Sequence, residues 1–171
     1  MAENQEKLEQ NQREKPMSLM MMTIVTGLFG GIFWSSLAYI AYLFHFTEIR
    51  PNVILEPWAL GQWKEQWLGT VISIIAIGLF SIGAALVYFA VLRKIKTIWA
   101  GAGYGLALFV LVFYVLNPIF PGIKPFWDLS KNTLITMACF YILYGVFVGY
   151  SISYEENEVQ NKEENQKEVT S

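Results

Sequence analysis

The sequence predicts an all-α membrane protein of four transmembrane helices, with a short interfacial helix in its first outer loop. Two observations carry this reading. Four long stretches, Met17–Thr47, Gln66–Leu92, Thr97–Ile123 and Asn132–Tyr154, contain no Asp, Glu, Lys or Arg. Each exceeds the ~20 apolar residues a helix needs to cross a hydrocarbon core of about 30 Å. One charge at the centre of such a helix would cost about 2.5–3.5 kcal/mol on insertion. In addition, every charged residue of the 171 falls in two tails and three loops, which leaves room for one domain and little else.

The elements follow in order. Residues 1–16 are mostly Glu, Gln, Asn and Lys, with a single leucine, Leu8. They cannot bury enough apolar surface to fold and are expected to be a disordered cytoplasmic tail. Pro16 and Ser18 suit a helix start, and the first helix should span Leu19–Phe44. Its apolar run is about twice the core of a signal peptide and its leader is acidic as well as basic, so it is expected to stay. The second helix should span Leu68–Leu92. The third should span Ile98–Leu116 and stop at Asn117-Pro118, because proline disfavours helix in the residue before it. The fourth should span Thr133–Ser153, with Asn132 and Thr133 capping its start. The transmembrane domain is 17–154, and the Glu-rich segment 155–171 is expected to be a disordered acidic cytoplasmic tail.

Lys and Arg near the helix ends set orientation. The connection Arg93-Lys94-Ile95-Lys96 is purely basic and belongs in the cytoplasm, with both termini. Eight Lys and Arg then lie inside (Lys7, Arg13, Lys15, Arg93, Lys94, Lys96, Lys162, Lys167) and four outside (Arg50, Lys64, Lys124, Lys131). The outer loops are aromatic. Trp58–Trp67 reads as the interfacial helix, with Trp63 and Trp67 on one face. Tryptophan prefers headgroup depth, where its ring is buried and its N–H stays wet. Pro118, Pro121 and Pro125 stiffen the other loop, which carries Phe126 and Trp127.

Three glycine spacings stand out: Gly27-x-x-x-Gly31, Gly101-x-x-x-Gly105 and Gly145-x-x-x-Gly149. Residues four apart share a helix face, and glycine there lets backbones approach. They point to packing within the chain or, failing that, to a homodimer through one face. All three lie in the cytoplasmic half. The helices could therefore pack tightly below and spread above, leaving a crevice that opens outward.

Groups for chemistry are few. His45 is the lone histidine, so no His-based metal site can form. Cys139 is the lone cysteine, which excludes an intrachain disulfide and reads as a buried packing residue. Gly101–Gly105 lies in an apolar helix and lacks the Lys-Ser/Thr of a phosphate-binding loop. No basic cluster resembles a nucleic-acid surface. No cofactor or metal is expected.

The segments Gly27–Trp34, Arg50-Pro51-Asn52, Glu56-Pro57-Trp58, Asn117-Pro118 and Phe126–Asp128 resemble those of the YqhR family of small conserved membrane proteins from spore-forming bacteria. The resemblance covers residues 17–152. It implies a four-helix plasma-membrane protein of unknown function and brings no catalytic residue.

The leading functional expectation is a non-enzymatic scaffold or partner subunit, in contact with the lipid bilayer and with another membrane protein or a second copy. Its candidate interaction surface is Arg50, Trp58, Trp63, Trp67, Phe126 and Trp127. The alternative is binding or transport of a neutral or lipid-like ligand in the outward crevice. Ion coupling normally uses intramembrane acids or histidines, and these are missing. A third reading is a surface enzyme using His45 with Glu48 and Asp128. The topology can be tested with a reporter active only outside the cell. It should be silent when fused after Lys96 or Ser171 and active when inserted at Gly61 or Lys124. Activity at Lys96 would invert the orientation.

Overall fold

The uncharged stretches fold as four long helices in a computed structural model that describes residues 19–57, 61–95, 97–120 and 124–170. They are α1 (Leu19–Leu43), α2 (Trp67–Leu92), α3 (Ile98–Val110) and α4 (Lys131–Thr170). No strand occurs among the described residues. α3 runs on through a π-helical segment, Leu111–Leu116, and a 3-10 turn, Asn117–Ile119. Four spans are long and apolar enough to cross a membrane: Leu19–Leu43, Trp67–Leu92, Ile98–Leu116 and Lys131–Glu158. The tail 1–16 and Trp58 lie outside the described residues. The bundle has a basic end, at Arg93–Lys94, and an aromatic end, which carries the two Trp-containing loops.

Local chemistry sets the helix ends. α1 stops where His45 adopts φ 62°. The His45 N–H then donates to the Tyr42 carbonyl and the Phe46 N–H to the Ala41 carbonyl, both at 2.9 Å. This is the left-handed cap that satisfies a helix's last carbonyls, usually with glycine. α4 is capped by Ser130 and not, as expected, by Asn132 and Thr133. The helix begins at Lys131, two residues earlier, and the Ser130 hydroxyl accepts from the Thr133 N–H at 3.3 Å. Of the interfacial helix expected over Trp58–Trp67, the described residues show a short 3-10 segment, Gln62–Glu65, and a second one, Pro51–Leu55, precedes it. Gly61, at φ 110°, bounds the Gln62–Glu65 segment on one side, and Gln66, in extended backbone, separates it from α2.

α4 continues through the segment 155–170, expected as a disordered tail. The stem of this extension is tied to the basic loop. The Ser153 hydroxyl donates to the Ile95 carbonyl at 3.3 Å, and Arg93 lies 3.8 Å from the buried Glu156 carboxylate. Cys139, expected in the core, is exposed on the outer face of α4. Its neighbours Met137 and Phe140 take the inward positions.

The bundle consists of two hairpins. α1 packs along α2, α3 along α4, and the hairpins meet mainly through α1 and α4. Glycine permits both pairings. A Cβ on Gly27 would lie 2.8 Å from the Ala85 Cβ, and one on Gly31 would lie 2.8 Å from the Gly78 Cα. In the other hairpin a Cβ on Gly101 would lie 2.7 Å from the Gly145 carbonyl oxygen. One on Gly105 would run into the Tyr141 carbonyl, and one on Gly145 would lie 2.6 Å from the Gly105 Cα. Gly149 abuts Gly101 and the Tyr88 hydroxyl. All six glycines singled out in the sequence thus sit where two elements of this same chain touch.

A polar node joins three helices in the glycine-rich half. The Ser81 hydroxyl lies 2.8 Å from the Gly27 carbonyl and 2.6 Å from the Tyr144 hydroxyl, which is itself 3.0 Å from the Ser81 carbonyl. One proton per hydroxyl suffices: Ser81 donates to Gly27, and Tyr144 donates to Ser81. Tyr104 of α3 donates to the Ala84 carbonyl of α2. Around these groups lies a cluster of Ala85, Tyr88, Tyr144, Val148 and Ile152. A second cluster, Phe109, Phe113, Leu129 and Met137, fills the aromatic end between α3, α4 and the loops.

Gly31→Leu and Gly105→Leu should each lower the unfolding free energy in detergent by about 1–3 kcal/mol, the usual cost of overpacking. Gly83→Leu and Gly103→Leu should change little, because nothing lies within 4 Å of a Cβ at either site. Thermal melts of the four variants check this. Equal tolerance would remove the close-packing account.

Candidate functional site at the aromatic end

The first loop leaves α1 at the His45 cap and is laid across the bundle by polar contacts. Thr47 is buried. The Glu48 N–H donates to the Thr133 hydroxyl of α4 at 3.0 Å, and the Thr136 hydroxyl donates to the Phe46 carbonyl at 3.3 Å. Ile49 then packs on the second cluster. Farther on, Asn52 is buried, and its amide donates to the Lys64 carbonyl at 2.6 Å. Its carbonyl oxygen accepts from the Thr70 hydroxyl of α2 at 2.9 Å. Gly69 lets the loop close down, because a Cβ there would run into the Lys64 carbonyl. The loop is thus pinned to α4 at one end and to α2 at the other.

The second loop joins this frame. Lys124 and Glu48 form an ion pair at 3.0 Å, and the Asn117 amide donates to the Lys124 carbonyl at 3.2 Å. The Lys124 hydrogen bond, and then Ser130, hold the Glu48 carboxyl below its ordinary value. That contribution is present above the ordinary carboxylate range and is lost as pH falls through the depressed value. Both groups are exposed, so its weight is small.

The predicted surface residues divide on this frame. Trp67 and Trp127 project, 74% and 78% exposed. Trp63 is half-exposed beside Gly61. The Arg50 guanidinium sits over the Tyr42 ring, 4.8 Å from its centroid. Phe126 turns inward onto the second cluster and meets Trp127 edge-on. Trp67 and Trp127 are the most exposed aromatics of the set among the described residues. Sequence reasoning missed the pinning residues Asn52, Thr70, Ser130 and Thr133. Single Asn, Ser and Thr residues without periodic spacing carry no signal of that kind.

His45, Glu48 and Asp128 are not assembled. All three are exposed. Among the described residues His45 makes no side-chain hydrogen bond to either acid, and Glu48 is held by Lys124. No group of three or more His, Cys, Asp and Glu that could hold a metal occurs among the described residues.

Four apolar helices, glycine-mediated packing and aromatic loops at one end define a multi-pass membrane protein. Residues 3–167 match the family described as "Conserved membrane protein YqhR". The chain belongs to that family. It is 55% identical over 155 residues to a Bacillus subtilis (strain 168) protein described as "Uncharacterized protein YqhR", covering 90% of this chain and 87% of that one. No solved structure matches.

The His45 cap separates a structural role from a chemical one. The left-handed region costs an L-residue roughly 1–2 kcal/mol and glycine nothing comparable. His45→Gly should therefore keep or raise the melting temperature with function intact, while His45→Val should lower it. Loss of function in a fully stable His45→Gly protein would assign the imidazole a chemical role.

Proposed function

We propose that this chain is a non-enzymatic partner subunit of the cell membrane. Both termini lie in the cytoplasm, and the aromatic end faces outward to engage another membrane component. One observation carries the reading. Trp67 and Trp127 are largely exposed, yet each stands beside a fixed part of the frame. Trp67 opens α2 three residues before the pinned Thr70, and Trp127 packs edge-on against the seated Phe126. Large aromatics presented on a rigid base lose little entropy on contact and are favoured at binding surfaces. The orientation is supported by the basic loop Arg93–Lys96. The non-enzymatic reading is supported by the separation of His45, Glu48 and Asp128 and by the lack of charge within the spans.

A photocrosslinking amino acid placed at Trp127 or Trp67 should capture one constant membrane protein in cells, and the same probe at Val91 should not. Val91 is 72% exposed near the basic end. Trp127→Phe and Arg50→Ala should insert normally and weaken that capture. Lipid adducts alone at both tryptophans would reduce the aromatic end to an anchor.

A further inference from the structure

A cleft of about 100 Å³ opens at the basic end, between the start of α3 and α4. Its cause is a difference in helix length. α3 and α4 touch through backbone at Gly101 and Gly149, where a Cβ on Gly149 would lie 3.0 Å from the Gly101 Cα. One turn toward the basic end α3 begins at Ile98, whereas α4 runs on past Asn157. From there α4 has a loop beside it and not a helix, tied on by the Ser153 hydroxyl and the Ile95 carbonyl. Thr97 forms one wall of the cleft, and Tyr150, Tyr154 and Asn157 form the other. These walls carry hydrogen-bond donors with capacity unspent. The Thr97 hydroxyl does not cap α3. The Tyr150 and Tyr154 rings stack, 5.9 Å between centroids, and each is more than half exposed. Asn157 gives one amide proton to the Ser153 carbonyl at 2.8 Å and has a second to give.

We infer that this cleft receives the phosphate of an anionic phospholipid whose headgroup ends in hydroxyls. Charge selects the anion. Lys94 is exposed, and Lys96 directly precedes Thr97 in the sequence. The neighbouring acids are turned elsewhere. Glu156 is held by Arg93, and at 100° per residue Glu155 and Glu158 lie about 160° and about 100° around α4 from Asn157. A phosphate only accepts hydrogen bonds and so uses every free donor on the walls. An ammonium headgroup would be carried against the lysines and meet no facing acid. Depth selects a lipid over a soluble anion. Trp99, two residues beyond Thr97, is 82% exposed, and tryptophan marks the headgroup level. Basic segments at that level attract anionic lipids, and pockets between helices beside them take their headgroups. The cleft is small and holds the phosphate group while the acyl chains stay in the bilayer. Phosphates line both leaflets, so the site does not rest on the orientation of the chain. It also stands apart from the aromatic surface at the other end of the bundle.

The test is native mass spectrometry of the full chain in detergent, offered equal amounts of phosphatidylglycerol and phosphatidylcholine with matched acyl chains. Phosphatidylglycerol should be retained as a first adduct several-fold more than phosphatidylcholine. Thr97→Val combined with Asn157→Leu removes donors without changing charge and should bring the two lipids to equal retention. Asn132→Leu, at the aromatic end, should leave the preference intact, and an equal loss there would overturn the site. A preference that survives the double variant would overturn it too, and its loss in Lys94→Gln would then trace it to diffuse attraction by the loop. No preference in the parent protein is the third overturning result. Excess inorganic phosphate should not strip the lipid. If it does, the cleft takes a soluble phosphate compound and the lipid assignment falls. Where the double variant melts earlier than the parent, Thr97→Val and Tyr154→Phe are read singly, since each loses one hydroxyl at nearly unchanged volume. Each should lower phosphatidylglycerol retention, and unchanged retention in both would overturn the site.

Discussion

The fold depends on one contact that water-soluble bundles do not need. Lipid tails are as apolar as the side chains they would replace, so helices in a bilayer gain little by hiding leucine from them. Association must come from close backbone approach and from hydrogen bonds between helices. In this chain both meet around Ser81. Its hydroxyl reaches the Gly27 carbonyl and the Tyr144 hydroxyl, and it can do so only because Gly27 and Gly31 bring α1 onto α2. Remove the glycine contact and the hydroxyl loses the Gly27 carbonyl. Remove the hydroxyl and Tyr144 of α4 keeps only the Ser81 backbone carbonyl at this node.

The rest of the architecture follows from where that contact sits. Glycine pairing is confined to the basic half, so each hairpin is tight there and the two are joined there. In the aromatic half the bundle is held by other means: the Phe109–Phe113 cluster on one side, and the loop pinned by Asn52, Thr70 and Thr133 on the other. α2 is attached through α1 and the loop alone in that half. Trp67, at the start of α2, and Trp127, in the second loop, stand beside this frame, which links the same asymmetry to the surface proposed for partner contact.

Most of the fold was legible because its cause is a bulk property. Uninterrupted apolar runs marked the spans to within a few residues at the starts and ends of α1, α2 and α3. The glycine spacings marked the faces that pack, since depth and a four-residue repeat are both visible in a sequence. Several features were not legible. The left-handed cap fell on His45, a residue that competes poorly with glycine for that role. Capping by Ser130 in place of Asn132 was a choice between polar residues two positions apart. Gly61 and Gln66 bounded the short segment seen in place of the expected interfacial helix, and Cys139 faced outward because its neighbours filled the core. Phe126 and Trp127 are adjacent, yet one turned inward and the other outward, which only the packing of the second cluster decides. Of the candidate surface, the exposure of Trp67 and Trp127 follows from the preference of indole for the interface. The frame beneath them rests on isolated polar residues and could be found only in three dimensions.

The most direct measurement is a double-mutant cycle on Ser81→Ala and Tyr144→Phe, read by reversible unfolding of the purified protein in detergent. Hydrogen bonds between membrane helices average about 0.6 kcal/mol and reach about 1.7 kcal/mol. Coupling toward the upper part of that range, with the double variant losing less than the sum of the singles, is the result expected here. Additivity within about 0.3 kcal/mol would mean that the two hydroxyls do not support one another, and that the bundle is held at some other point.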